Sequence, residues 1–371
     1  MKEIPVIFET IRAVNGKCIG VMTLNVEKKL NSLTLEMVLT LRRQLAQWIA
    51  DKAIACILVK GTGDRAFCAG GDVQALYRSA METPGGPCAY AEAFFEHEYR
   101  MDYLFHVCPK PVIAWGHGIV MGGGLGILAG CSHRVVTEKA RLAMPEVTIA
   151  LYPDVGAGWF FNKMPGNVGM FLAMTGASFN AADALSAGIA DYFITHDQLD
   201  AVMKALRLQS WSETTLMNHE ILGGLLNKVS QRAHVALPKG NIEAHQDELN
   251  ALCSDADVVA VFKAITAIET EDNWLAVARD NLIHGSPLSS RIIHGHMQRT
   301  RLFSLKEVFQ SELVLSTNLV RYSEFSEGVR ALLIQKDKNP NWKFATIQEV
   351  PEQLLDQLVT PPWPNNPLAD L

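Results

Sequence analysis

The chain has no run of eighteen apolar residues, no C-x-x-C pair, no block of lysine and arginine, and no repeat of fixed period. Each absence removes a class of protein. Without a long apolar run, no membrane-crossing helix is expected. The seven cysteines (Cys18, Cys56, Cys68, Cys88, Cys108, Cys131 and Cys253) are scattered and odd in number. That argues for free thiols in a reducing compartment, each packing as a small apolar group, and against a zinc site. With 33 Lys and Arg against 39 Asp and Glu, the net charge is −6, so nucleic acid is a poor partner. The opening segment, MKEIPVIFETIRAVNGKC, has neither the apolar stretch of a signal peptide nor the Arg/Ser-rich pattern of a transit peptide. A cytoplasmic protein is expected; a mature mitochondrial matrix form with its leader removed would read the same way. No Gly-x-Ser-x-Gly elbow and no HExxH pair accompany His97, His106, His117 and His133. A serine hydrolase and a metal centre are therefore not expected, and these histidines read as helix-face or capping groups.

What is present is a chain of 371 residues, 49% hydrophobic and 19% charged, sufficient for a large core. Residues 6–10 and 17–25 read as strands joined at Asn15-Gly16, a hairpin signal. A helix is expected from Thr34, a good N-cap, because Val38, Leu41, Leu45 and Trp48 share one helical face. An apolar run over 54–59 then predicts a buried strand. Further strands are expected at 111–115, 133–137 and 142–144, with helices opening at Asp72, near Tyr90 and at Gly122. The order predicts repeated strand–strand–helix turns in an α/β core over residues 1–200. Helical patterns dominate residues 201–371, and the tail TPPWPNNPLADL is expected to be irregular or frayed.

Three segments could carry chemistry. In Arg65-Ala66-Phe67-Cys68-Ala69-Gly70-Gly71-Asp72, a strand turns through glycines into a helix capped by Asp72. Alone this is an ordinary tight turn; functionally, the Gly71 N–H could face a pocket. The second segment is PVIAWGHG followed by Met121-Gly122-Gly123-Gly124-Leu125-Gly126. Each glycine inside a helix costs roughly 1 kcal/mol, so something must approach this backbone closely. A dinucleotide loop is a weak alternative: Gly124 to Ala129 matches G-x-G-x-x-A, but residues 117–121 separate it from the preceding strand. The third is AMPEVTIALYPDVGAG, where Glu146 and Asp154 lie eight residues apart. Backbone donors in glycine loops suit a developing negative oxygen, and carboxylates supply base, acid or nucleophile. Together they form the minimum apparatus for acyl or enolate chemistry.

At VEKKLNSL, AFCAGGDV and KPVIAWGHGIVMGGGLG the chain resembles the crotonase (enoyl-CoA hydratase/isomerase) superfamily. That resemblance implies a spiral of ββα turns that binds acyl-CoA. It also implies an oxyanion hole of two N–H groups, which map to Gly71 and Gly123. Hydratases of this family carry two glutamates; here Gly126 stands at the first position and Glu146 at the second. AMPEVTIALYPDVGAGWF instead resembles the 3-hydroxyisobutyryl-CoA hydrolase branch. So do FFEHEY, whose Glu98 maps to a substrate-contacting glutamate, SPLS at 286–289, and EGVRALLI with KDKNPNW near the end.

The resemblance implies a thioesterase acting on a small 3-hydroxyacyl-CoA, with Glu146 as base or nucleophile. Asp154 would orient the 3-hydroxyl or share the proton. The only cofactor expected is the coenzyme A of the substrate. Lys28, Lys29 and Arg65 are candidates for its phosphates, and a homo-oligomer is compatible with the family. The alternatives are a hydratase or isomerase using Glu146 alone, and a noncatalytic acyl-CoA-binding protein on the same fold.

Overall fold

A computed structural model describes residues 4–233 and 236–371. Among the described residues, nine strands form two sheets: β1 (Val6–Arg12), β2 (Cys18–Leu24), β3 (Ile54–Gly61), β4 (Ala66–Cys68), β5 (Val112–Gly116), β6 (Ile119–Met121), β7 (His133–Val136), β8 (Arg141–Ala143) and β9 (Tyr192–Phe193). The larger sheet has the order β1-β2-β3-β5-β7-β9, and the smaller β4-β6-β8. Strands β1 and β2 are antiparallel; every later pair of the larger sheet is parallel. The strand–strand–helix cycle explains the two sheets. The first strand of each later cycle extends the large sheet, and the second joins the small one. Residues 117–121, read from sequence as a connection, include strand β6, too short for any periodicity to show.

The chain divides into two compact units, each assembled from three stretches. The first comprises residues 1–71, 101–142 and 179–243. Its large sheet is apolar on both faces, as parallel strands covered by helices must be. Ile19, Val21, Cys56, Leu58, Ile113, Trp115 and Val135 pack with Val202 and Leu206 of the helix Leu199–Arg207 and with Leu222 and Leu226 of the helix Thr215–Ala233. Helix α1 (Leu35–Ala50) starts at Thr34, whose side chain accepts from the Met37 N–H. Its Trp48 lies so close to β2 that a Cβ on Gly20 would fall 2.6 Å from the indole.

The second unit, residues 72–100, 143–178 and 244–371, is built mainly of helices. Helix α2 (Val73–Glu82) is capped by Asp72 as expected, and α3 (Ala89–His106) follows the Pro84–Pro87 break. Ser286 caps the helix Pro287–Thr300, and Ser304 and Glu307 form a capping box on the helix Leu305–Arg321. The tail is irregular but not frayed. Leu368 is fully buried, Lys306 binds the carbonyls of Ala369 and Leu371, and Arg100 reaches Asp370 and the Pro367 carbonyl. Among the described residues, no two cysteines are joined in a disulfide. Among the described residues, no helix is long and apolar enough to cross a membrane.

Helix α4 (Gly123–Gly130) shows why three glycines run together. Gly122 has φ 50° and ψ −126°, a conformation open only to glycine. At Gly124 an added Cβ would lie 2.3 Å from the Cys68 carbonyl oxygen at the end of β4. Gly124→Ala is therefore expected to lower the melting temperature. The clash with rigid backbone belongs at the upper end of the about 1–3 kcal/mol that overpacking costs, more than the roughly 1 kcal/mol gained in helix propensity. An unchanged calorimetric midpoint would show that α4 is not held against β4 in this way.

Candidate active site

In the first unit, the two glycine loops lie side by side. Gly70, at φ 98°, brings the end of β4 against the other loop: a Cβ there would sit 3.2 Å from the Met121 carbonyl oxygen and 3.6 Å from the Gly123 nitrogen. Gly71 follows directly, and Gly123 is the first residue of α4. Its N–H therefore has no acceptor within the helix and sits at the positive end of the helix dipole. The segment VEKKLNSL holds the first loop in place. Ala69 N–H donates to the Leu30 carbonyl (3.0 Å), and Leu33 N–H to the Gly70 carbonyl (2.8 Å). Asn31 is fully buried. Its amide donates to the carbonyls of Thr62 (3.0 Å) and Ala66 (2.9 Å) and accepts from the Val26 N–H (3.0 Å). Sequence reasoning assigned Asn31 no role; in the structure Leu30 and Asn31 both adopt left-handed φ, which asparagine tolerates better than most residues. Lys28, Lys29 and Arg65 are exposed residues of this unit.

The three predicted carboxylates belong to the second unit. Glu146 opens the 3-10 turn Glu146–Ile149 and Asp154 lies in the turn beyond it; they are 7% and 8% exposed. Glu146 Oε2 is buried with no hydrogen-bond partner. Burial, and then the charge of Asp154, push the Glu146 pKa well above the usual carboxylate range. Burial raises Asp154 to about 7, while a hydrogen bond from the Tyr99 hydroxyl, 2.7 Å from Oδ2, pulls in the opposite direction. Glu98, also buried, precedes Tyr99 on α3. Tyr99, Tyr152, Glu312 and Ser316 escaped the sequence reading. The signal for the last two was polar residues one turn apart on the apolar face of Val308, Phe309, Leu313 and Leu315. Among the described residues, no three His, Cys, Asp or Glu side chains group as metal ligands.

These carboxyls tie stability to pH. A carboxyl whose folded pKa is raised favours folding below its unfolded pKa and loses that contribution as pH rises through the folded value. For Asp154 and Glu312 the folded values are about 7 and about 8. Buried His296 and His133, lowered to about 3 and about 4, act in the opposite sense, but only below the unfolded histidine pKa of roughly 6.5. Thermal stability is therefore expected to fall as pH rises from roughly 6.5 past 8, and Asp154→Asn is expected to flatten that slope. Equal slopes in the two proteins, followed by calorimetry, would remove Asp154 from the effect.

The family described as enoyl-CoA hydratase/isomerase matches residues 19–359. The chain is 36% identical over 342 residues to the mitochondrial 3-hydroxyisobutyryl-CoA hydrolase of Homo sapiens, covering 91% of this chain and 85% of that protein. Its fold is similar to that of a carnitinyl-CoA dehydratase from Mycobacterium thermoresistibile, with TM-score 0.86, 30% identity and all of both chains covered. An enoyl-CoA hydratase from Rhodobacter sphaeroides is also similar, with TM-score 0.83 and 29% identity over 97% of this chain and 98% of that one. The ββα organisation expected from the sequence is thus that of these proteins, and the chain belongs to the enoyl-CoA hydratase/isomerase family, on the branch of the 3-hydroxyisobutyryl-CoA hydrolases.

Proposed function

We propose that the chain hydrolyses the thioester of a small 3-hydroxyacyl-CoA, with 3-hydroxyisobutyryl-CoA as substrate, a step of valine breakdown. The observation that carries this is the buried Glu146–Asp154 pair, with Gly126 where a hydratase of the family has its second glutamate. Adding water across a double bond places a proton on one carbon and a hydroxyl on the next, which calls for an acid–base pair at the double bond. Hydrolysis needs attack at one carbonyl carbon and stabilisation of its oxygen. The name of the human relative supports the same substrate.

In this proposal the N–H groups of Gly71 and Gly123 receive the thioester oxygen as it gains charge. Loss of one such donor costs about 3–4 kcal/mol of barrier. Glu146 drives the attack, as base on a water or as nucleophile through an anhydride. By the first route, the water oxygen bonds to the carbonyl carbon and its proton passes to Glu146. The carbon–sulfur bond then breaks, the proton goes to the departing CoA thiolate, and the free acid remains. Asp154 takes the substrate's 3-hydroxyl or shares the proton of Glu146, since two neighbouring buried carboxyls do not both ionise at neutral pH. Glu98 contacts the substrate, and Lys28, Lys29 and Arg65 attract the CoA phosphates. The cellular setting proposed is the cytoplasm or the mitochondrial matrix; the human relative is named as mitochondrial.

The test supplies 3-hydroxyisobutyryl-CoA and, separately, crotonyl-CoA, following free thiol in the first and enoyl absorbance in the second. Thiol release is expected; enoyl loss without thiol would establish a hydratase instead. CoA binding by calorimetry with no turnover of either compound would point to a noncatalytic binding protein. Glu146→Gln is expected to lower kcat by roughly 100-fold or more. The pair must lose a proton before Glu146 can act as base or nucleophile, so kcat/KM should rise with pH through an acid limb at or above the Asp154 pKa of about 7. A rate flat from acid to neutral pH would show that ionisation of the pair is not needed.

A further inference from the structure

The helix Leu305–Arg321 buries two polar side chains one turn apart, Glu312 and Ser316, neither with any exposed surface. A buried carboxyl carries a desolvation cost that only well-placed donors offset. Those donors come from the turn after Asp154. Gly156 N–H donates to Glu312 Oε2 at 2.7 Å, and Gly158 N–H to Oε1 at 3.2 Å. His296 Nε2 lies 3.4 Å from the same Oε1. Burial keeps that imidazole neutral, so it brings a dipole and no charge.

Ser316 serves the same stretch of chain. Its hydroxyl lies 2.6 Å from the Tyr99 hydroxyl and 2.9 Å from that of Tyr152. Tyr99 donates in turn to Asp154 Oδ2, and Tyr152 to the Glu312 carbonyl at 2.9 Å. One helical turn therefore holds residues 152–158 at four points: the Tyr152 ring, the Asp154 carboxyl through Tyr99, and the N–H groups of Gly156 and Gly158. The turn needs such restraint. Val155 has φ 51°, a conformation a β-branched residue adopts only when its surroundings enforce it, and Gly156 follows at φ 88°.

We propose that Glu312 is a positioning residue for Asp154: by binding Gly156 N–H and Gly158 N–H it fixes the turn that aims the Asp154 carboxyl, while Tyr99, braced by Ser316, fixes its rotation. Glu312 touches no substrate. The inference rests on the assignment of Asp154 to the reaction. Charged and titratable groups facing Asp154 in this unit are Glu146, Tyr99, Tyr152 and Glu312.

The test is a double-mutant cycle. In Glu312→Gln the amide oxygen accepts one N–H, but its NH₂ opposes the other. A small misplacement of a reacting group costs up to roughly 100-fold, so kcat on 3-hydroxyisobutyryl-CoA should fall roughly 10- to 100-fold with KM little changed. In an Asp154→Asn background the same substitution should cost less than about twofold, because the group it positions is gone. Tyr99→Phe leaves the Glu312 bonds intact and should move the acid limb of the pH profile to higher pH, since the donor that favours the carboxylate is removed. It carries the test if Glu312→Gln shows no cooperative melt.

Equal losses with and without Asp154 would show that Glu312 only supports the fold and would overturn the proposal. So would wild-type kcat in Glu312→Gln, or an unmoved acid limb in Tyr99→Phe. The wild-type assay separates this from the activity itself. If the wild type hydrates crotonyl-CoA and releases no thiol, the hydrolase assignment fails, and the cycle is read on hydration with the same criteria.

Discussion

The second unit depends on keeping carboxyl groups out of water. Glu98, Glu146, Asp154, Glu312 and Glu324 are each less than a tenth exposed. Placing even one such group in an apolar interior works against folding unless donors or a proton compensate it. Their compensation differs. Glu312 takes two backbone N–H groups and Asp154 a tyrosine hydroxyl, whereas Glu146 has an oxygen with no partner. Glu324 has neither oxygen partnered, so a shortage of donors does not by itself mark a reacting group.

The glycine loops of the first unit follow a different rule. Their requirement is closeness of backbone to backbone. Gly124 lets α4 touch the end of β4, and Gly70 lets one loop meet the other. A side chain at either position would push these backbones apart. The stability given up by glycine within a helix is the cost of that close approach.

Much of this was legible in the residues. Thr34, Asp72 and the apolar spacing of α1 marked helix starts and faces because capping and periodicity are local effects. The glycine run stood out because successive glycines are costly within a helix, and Glu146–Asp154 because they are two carboxylates close together in an otherwise apolar segment. Strands of two or three residues, β6 and β9, were not legible, since no period fits within them. Nor was the threading of three separate stretches into each unit, which depends on contacts far apart in the chain. Ser316 and Glu312 lie more than 150 residues from the tyrosines and glycines they meet, and they declare themselves only as polar residues on an apolar face. The tail is irregular, as its Pro/Asn composition reads; the tertiary contact that anchors Leu368 was not legible.

The meeting of Gly20 with the Trp48 indole has a consequence for how this protein can diverge. A Cβ at position 20 would fall 2.6 Å from the ring, so strand and ring fill one volume between them and neither position is an independent site of variation. A larger residue at 20 becomes admissible only after Trp48 has shrunk, and a smaller residue at 48 leaves a void that glycine cannot fill. Among relatives the two positions should change as a pair, in that order, or remain as they are.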